Sequence, residues 1–349
     1  MRYRVTVADL GQSVPAQAGE TVLSALLSHG VGFAYSCEAG NCGTCKCELV
    51  SGEILELEYS EHALSAPERA RNIVLACRCR VLSDVVVRRL EAEDFEVHPF
   101  RTLRCRVAAL ERATHDVLRL RLEVLDGGPY VFSAGQFARL AFAFARGEER
   151  DYSMANAPGE PVLEFHIRVT DGGSLSARAA KQLQTGDEVR VTGPLGTAYL
   201  RARHAGPMLC VAGGTGLAPI RSIVSAALTD GFSHPLHFYF GVRAERDVYA
   251  EQELRRWAAS HPNLRVHIVL SDPDGAPARD ASPRRAGPVT EAVAADLADL
   301  AGFKVYVAGP PPMVDAVCAL VRARGVGIRD IHADPFYPSG AGAGLSGAR

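Results

Sequence analysis

A multi-domain fold is predicted for this chain of 349 residues, with three unlike parts in series. The expected order is an α+β part, a small antiparallel β-barrel, and an α/β part with a parallel sheet. Three observations predict it. The first ninety or so residues mix a hairpin, one short helix and a cysteine-rich loop. Residues from about 100 to 200 break into short apolar runs separated by Gly, Pro and Asp. From about 205 onward, short apolar strands alternate with helical stretches, the pattern of a parallel sheet covered by helices.

In the first part, residues 2–9 alternate like a strand, Gly11-Gln12-Ser13 turns the chain, and Ser13–Ala16 continues a hairpin. Thr21 is placed to cap a helix over Val22–Ser28, which Gly30 closes. Strand-like segments follow at Cys45–Val50 and Ile73–Cys77. Between them, Glu53, Glu56, Glu58 and Glu61 form an acidic stretch, read as a solvated face or as a docking patch for a redox partner. The pattern fades around Glu91–Asp94, and His98-Pro99 reads as a linker.

The middle part offers strands at Thr102–Leu110, Val117–Leu125, Phe137–Phe144, Leu163–Val169 and Glu188–Thr192, with one helix over Leu175–Leu183. The last part offers strands at Met208–Ala212, Leu236–Phe240, Arg265–Leu270 and Lys304–Ala308. Helices are expected from Leu217 and around Gln252–Ala259, Thr290–Leu300 and Met313–Arg324. Residues 338–349, rich in Gly, Ala and Ser, are expected to form a flexible tail. The expected domains are therefore 1–95, 99–202 and 205–337.

Composition excludes some functions. Hydrophobic residues make up 47% and charged residues 22%, enough for ordinary packed cores. The net charge of −2 gives no support for binding nucleic acid. The first residues lack the apolar run of a signal peptide, and no apolar stretch approaches the roughly 18 residues of a membrane span. A cytoplasmic protein with no membrane partner is expected. Nine cysteines in such a chain point to metal or redox use rather than a disulfide framework. The eleven histidines show no paired spacing that suggests a metal site.

Cys37, Cys42 and Cys45 follow C-x4-C-x2-C, and Cys77 stands 32 positions later. This is the spacing of plant-type [2Fe–2S] ferredoxins. Gly40 and Gly43 let the loop wrap closely around a cluster. Cys79, two residues beyond Cys77, is an equally spaced alternative on alternation alone. Cys47, Cys105, Cys210 and Cys318 read as small buried apolar residues.

Four further motifs carry chemistry. Arg150-Asp151-Tyr152-Ser153, at a strand end, offers a planar cation for a phosphate, a ring for stacking and a hydroxyl. Asp171-Gly172-Gly173-Ser174-Leu175-Ser176 opens a helix, whose free N–H groups favour an anion. Together they suggest a dinucleotide flavin bridged by its pyrophosphate. Gly213-Gly214-Thr215-Gly216 follows an apolar strand and opens a helix, and Ala308-Gly309-Pro310-Pro311-Pro312-Met313 repeats that logic later. Neither is G-x-G-x-x-G, so the standard Rossmann fingerprint is absent.

In that order, the motifs resemble the ferredoxin–NAD(P) reductase superfamily with an N-terminal ferredoxin domain. More narrowly, residues 1 to about 337 are similar to the reductase components of bacterial aromatic-ring dioxygenases and related multicomponent oxygenases. The resemblance implies a β-grasp-like ferredoxin domain, an antiparallel FAD barrel and an NAD-binding α/β domain. It implies cluster ligation by Cys37, Cys42, Cys45 and Cys77, the last in preference to Cys79. FAD contacts are implied at Arg150, Tyr152 and Ser153, at the flavin edge by His166, Ile167 and Val169, and at the pyrophosphate by Gly173, Ser174, Leu175 and Ser176. Nicotinamide nucleotide contacts are implied at Gly213, Gly214, Thr215 and Gly216, and at Gly309, Pro310 and Met313. Ser153, Thr215 and Phe336 are the implied catalytic positions, Phe336 covering the flavin face that the nicotinamide must reach. Many relatives carry cysteine before the late Gly-Pro. Here Ala308 stands there, so positioning by Thr215 and Ser153 replaces a thiol.

The implied activity is an NAD(P)H-dependent oxidoreductase. It takes hydride from NADH onto FAD and passes single electrons through a [2Fe–2S] cluster to a ferredoxin or terminal oxygenase component. Arg243 and Arg246 could meet a 2′-phosphate while Glu245 and Asp247 would repel one; similarity to NADH-using reductases favours NADH, with NADPH possible. Alternatives are a reductase of another acceptor, such as a hydroxylase or a deoxysugar dehydrase intermediate, and a two-domain flavin reductase releasing free reduced flavin. From a different class, a zinc-stabilised interaction module fused to a flavin reductase would use the same four cysteines.

Overall fold

A computed structural model describes residues 2–35, 40, 43, 45–59, 63–90, 98–126, 128–145, 147–170, 174–272 and 284–337. The chain divides into two compact units, one ending at Pro99 and the other beginning at Phe100.

The first unit is a mixed sheet with a helix against it. β1 (Arg2–Val7) and β2 (Gln12–Gln17) form the hairpin, and α1 (Val22–Ser28) follows. Thr21 caps α1 by accepting from the Ser24 amide at 3.1 Å. Val22, Leu23, Ala25 and Leu26 face the sheet. β3 (Lys46–Ser51), β4 (Ile54–Glu56), α2 (Ala66–Arg69), β5 (Ile73–Leu75), β6 (Cys79–Val81) and β7 (Val85–Arg89) complete the unit. The main sheet runs β2-β1-β7-β3-β5 and pairs β1 with β7 in parallel, while β4 and β6 form a separate ribbon. Cys77 corrects an expectation: it lies on a 3-10 turn, Ala76–Arg78, and not on a strand. The Ala76 amide donates to the Cys45 carbonyl at 3.0 Å, and the chain then turns out of the sheet.

The second unit begins with the barrel. β8 (Arg101–Arg112), β9 (Val117–Val124), β10 (Phe137–Phe142), β11 (Glu149–Ser153), β12 (Val162–Arg168) and β13 (Glu188–Leu195) form one antiparallel sheet in the order β11-β10-β13-β8-β9-β12. A bridge between Met154 and Phe165 nearly closes it. α3 (Leu175–Gln182) plugs one end, burying Leu175 and Ala179 in the barrel core. Arg150–Ser153 proves to be a strand itself, paired with β10, where sequence reading placed it after one.

The parallel sheet takes β14 (Met208–Gly213), α4 (Leu217–Thr229), β15 (Leu236–Val242), α5 (Glu251–Ser260), β16 (Leu264–Leu270), β17 (Arg285–Ala286), α6 (Val289–Asp296), β18 (Lys304–Gly309), α7 (Pro311–Ala323) and β19 (Ile331–Pro335). Its order is β17-β16-β15-β14-β18-β19, every pair parallel. All six residues of β14 are buried, as expected for a strand covered on both faces. α6 ends at Asp296, short of the expected Leu300. Arg324 Nη1 takes up the carbonyls of Ala294 and Leu297, so the last turn is satisfied without continuing the helix. β17 and β19 were not anticipated. Pro335 is tolerated because β19 is an edge strand.

Candidate functional site: a thiol pair, a flavin barrel and a nucleotide cleft

In the first unit, the Sγ atoms of Cys45 and Cys77 lie 3.2 Å apart, both residues buried and neither in a disulfide. A disulfide would bring them to about 2.05 Å. Two unbonded sulfurs this close converge on a common point, which suits two thiolates on one metal. Cys37 and Cys42 lie outside the described residues. Gly40 and Gly43 have φ of +76° and +74°, and Cβ atoms there would meet Tyr59 Cβ at 2.8 Å and the Ala63 carbonyl at 2.7 Å. Glycine is needed at both for backbone angle and for space. Lys46 Nζ reaches Glu68 at 2.7 Å and, with Ser65, draws the Glu68 carboxyl down to about 2 although burial works against it. That pair ties the start of β3 to α2.

In the second unit, strand order reverses between β14 and β18, where open parallel sheets bind ligands at the carboxyl ends of their strands. A cavity of about 420 Å³ opens there, and Gly213, Gly214, Thr215, Pro310 and Met313 line it. The two glycine turns pack directly on each other. A Cβ on Gly216 would lie 2.1 Å from the Ala308 carbonyl, and one on Gly309, at φ +141°, would lie 2.7 Å from the Gly213 carbonyl. These contacts leave room for no side chain between the two turns at Gly216 and Gly309. The opposite wall carries Arg243. Its guanidinium is exposed and has no ion pair among the described residues. Glu245 is taken up by Arg284 at 2.6 Å, and Asp247 caps the Ala244 amide at 3.0 Å. Both carboxylates expected to repel a 2′-phosphate therefore have cationic or N–H partners.

On the barrel, Arg150, Tyr152 and Ser153 share β11, with Arg150 opposite Leu140 and Tyr152 opposite Ala138. Burial raises the Tyr152 phenol to about 12, so it stays neutral. Ser174 caps α3 and forms a hydroxyl cluster with Ser176 and Thr170, while the Leu175 side chain enters the barrel core. Gly173 lies outside the described residues. Ile167 also points into the core and Val169 packs at its margin.

Ser153 Oγ reaches Asp334 Oδ2 at 3.4 Å, and the Phe336 amide donates to the Gly309 carbonyl at 2.8 Å. β19 thus carries the acid to β11 of the barrel, and the residue after it ties to the late glycine turn. Burial raises the Asp334 carboxyl to about 7 despite the hydrogen bond from Ser153.

His166, expected at the flavin edge, is buried. Its buried ring contacts Glu164 Oε1 through Nε2 at 3.1 Å and the Tyr249 hydroxyl through Nδ1 at 3.0 Å. Burial would raise the Glu164 carboxyl, but the bond from His166 and the charges of Arg221 and Arg119 hold it far below the carboxylate range. Burial in turn lowers His166, outweighing Glu164. Arg221 on α4 joins the same seam, pairing with Glu253 and reaching the Ala155 carbonyl, beside Ser222 on the Asn156 carbonyl at 2.6 Å.

The family model for a 2Fe-2S iron-sulfur cluster binding domain matches residues 5–82, that for an oxidoreductase FAD-binding domain 104–199, and that for an oxidoreductase NAD-binding domain 210–319. The chain is 42% identical over 342 residues to the ferredoxin–NAD(P)(+) reductase component of the naphthalene 1,2-dioxygenase/salicylate 5-hydroxylase systems of Ralstonia sp, covering 96% of this chain and 99% of that one. The chain belongs to the reductase components of bacterial oxygenase systems. The naphthalene 1,2-dioxygenase reductase component of Pseudomonas putida is 39% identical, over 94% of this chain and 96% of that relative. Among solved structures, the Amycolatopsis cytochrome P450 reductase GcoB superposes with a TM-score of 0.79 at 35% identity, covering 96% of this chain and 99% of that one. This reductase therefore carries an iron–sulfur, a flavin and a nicotinamide-nucleotide module, and the iron–sulfur match decides against zinc. No helix among the described residues is long and apolar enough to cross a membrane.

Proposed function

We infer that this reductase draws electrons from NADH and delivers them to a separate ferredoxin or terminal oxygenase component of an aromatic-ring-hydroxylating system, in the cytoplasm where NADH is formed. The observation that carries this reading is the end-to-end match to the Ralstonia reductase component. The division of labour follows residues 1–95, 99–202 and 205–337. When bound, the flavin accepts electrons in a pair and releases them one at a time, as a cluster requires.

The residues supply binding and position. Cys37, Cys42, Cys45 and Cys77 hold the cluster. Arg150 and the hydroxyls at the start of α3 hold flavin phosphates, and Tyr152 stacks on the ring. The turns at Gly213–Gly216 and Gly309–Met313 hold the nicotinamide nucleotide. Ser153, with Asp334 behind it, places a hydroxyl able to exchange a proton beside the reacting face. Thr215 orients the nicotinamide, and Phe336 shields that face from water.

The test is an anaerobic NADH titration of the purified protein, following flavin and cluster absorbance. The reduced protein is then mixed with the ferredoxin and the oxygenase component of a naphthalene-type system. Bleaching of both chromophores and reduction of either partner are expected. Protein holding both chromophores that NADH does not bleach would end the proposal.

A further inference from the structure

The buried chain Glu164–His166–Tyr249 crosses from the flavin barrel to the nucleotide sheet, and neither end of it belongs to a recognised motif. Its proton placement follows from donor and acceptor counting. Glu164 is ionised, so it only accepts, and His166 must donate to it from Nε2. Neutral His166 then has a lone pair at Nδ1 and accepts the Tyr249 proton at 3.0 Å. With its one proton committed, the Tyr249 oxygen stands 3.5 Å from the Gly214 carbonyl as a fixed wall. Gly214 is the left-handed residue of its turn, at φ +55°, and its carbonyl accepts from the Leu217 amide. The Tyr249 ring also packs edge-on against His166 and Phe240.

We propose that Tyr249 is a positioning residue: anchored by His166 on the barrel, it braces the Gly213–Gly216 turn and so sets the distance between nicotinamide and flavin. This rests on the reading of that turn as the nicotinamide site. A reacting pair must approach to about 3–3.5 Å, and a misplacement near 1 Å can cost about a hundredfold in rate. A brace fixed to the barrel on one side and touching the turn on the other holds that distance directly.

The test uses Tyr249→Phe, His166→Leu and His166→Asn in the complete protein. Asn offers an acceptor near the place of Nδ1. Tyr249 also lines the cleft, but His166 does not, so a shared phenotype separates bracing from direct contact with nucleotide. Expected for Tyr249→Phe and His166→Leu is a roughly tenfold slower flavin bleaching at saturating NADH. NAD⁺ affinity should stay within about threefold, and exchange at the Leu217 amide should be faster without loss of FAD. The double variant should be no slower than either single one, and His166→Asn should regain most of the rate. Wild-type bleaching rates and exchange in Tyr249→Phe, or multiplicative losses in the double variant, would overturn the proposal. Failure of the wild-type protein to bleach with NADH would instead overturn the reading of the cleft. Should His166→Leu not fold, the Tyr249→Phe and His166→Asn pair decides the matter alone.

Discussion

Ser153 and Asp334 stand 181 residues apart in sequence and 3.4 Å apart in space, joined by a long hydrogen bond from the serine hydroxyl. The carboxyl, with an ordinary value near 3.8, is raised to about 7 by burial. A raised acid binds its proton more tightly when folded, so stability falls as pH rises from about 4 to about 7, and the penalty is complete above that. Asp334→Asn removes the penalty and still accepts from Ser153. Thermal melts should show a gain on the order of 2 kcal/mol, about 5 °C, at pH 8 and none at pH 4. The same variant should flatten any dependence of flavin reduction on a group titrating near neutrality.

Cys77, and not Cys79, approaches Cys45. Cys79 instead opens β6, where it pairs with Glu56 of β4. Cys77→Ser should abolish the visible absorbance of the cluster and transfer to one-electron acceptors, leaving flavin bleaching by NADH intact. Cys79→Ser should keep both absorbance and transfer. Iron and acid-labile sulfide analysis of the two variants checks the assignment.

Gly216→Ala places a methyl 2.1 Å from the Ala308 carbonyl, which belongs to the adjoining strand and cannot move alone. The two glycine turns must separate to admit it. Nicotinamide nucleotide binding should fall by at least about tenfold, while the barrel, which this turn does not build, keeps its FAD. Calorimetric titration with NAD⁺ and the flavin content of the purified variant test this.

Arg243 on the cleft wall has no ion pair among the described residues, and Glu245 is held by Arg284. Arg243→Ala should lower kcat/KM for NADPH about tenfold, near 1.4 kcal/mol, and change that for NADH by less than about twofold. Glu245→Gln should change the preference little, because its charge is already matched. Steady-state rates with both nucleotides decide.

The motifs legible in the sequence are those built from consecutive residues. C-x4-C-x2-C and the turns after β14 and β18 declare themselves because glycine, proline and cysteine are required at fixed offsets. Strand and helix rhythm gave the two sheets of the second unit for the same reason: burial on one or both faces imposes a period. Arg150–Ser153 escaped as a strand because its pattern is polar, as suits the end of a sheet. The 3-10 turn at Cys77 escaped because it is set by the Ala76–Cys45 backbone bond, between residues far apart in the chain. His166–Tyr249 and Ser153–Asp334 escaped for that reason too. Each is a single contact across 83 and 181 residues, and one contact makes no period.

Phe336 is tied to Gly309 by a main-chain hydrogen bond. The ring has no part in that hydrogen bond, so the bond does not depend on which side chain stands at this position. A larger, smaller or polar residue can therefore replace it while the strand end stays docked on the late glycine turn.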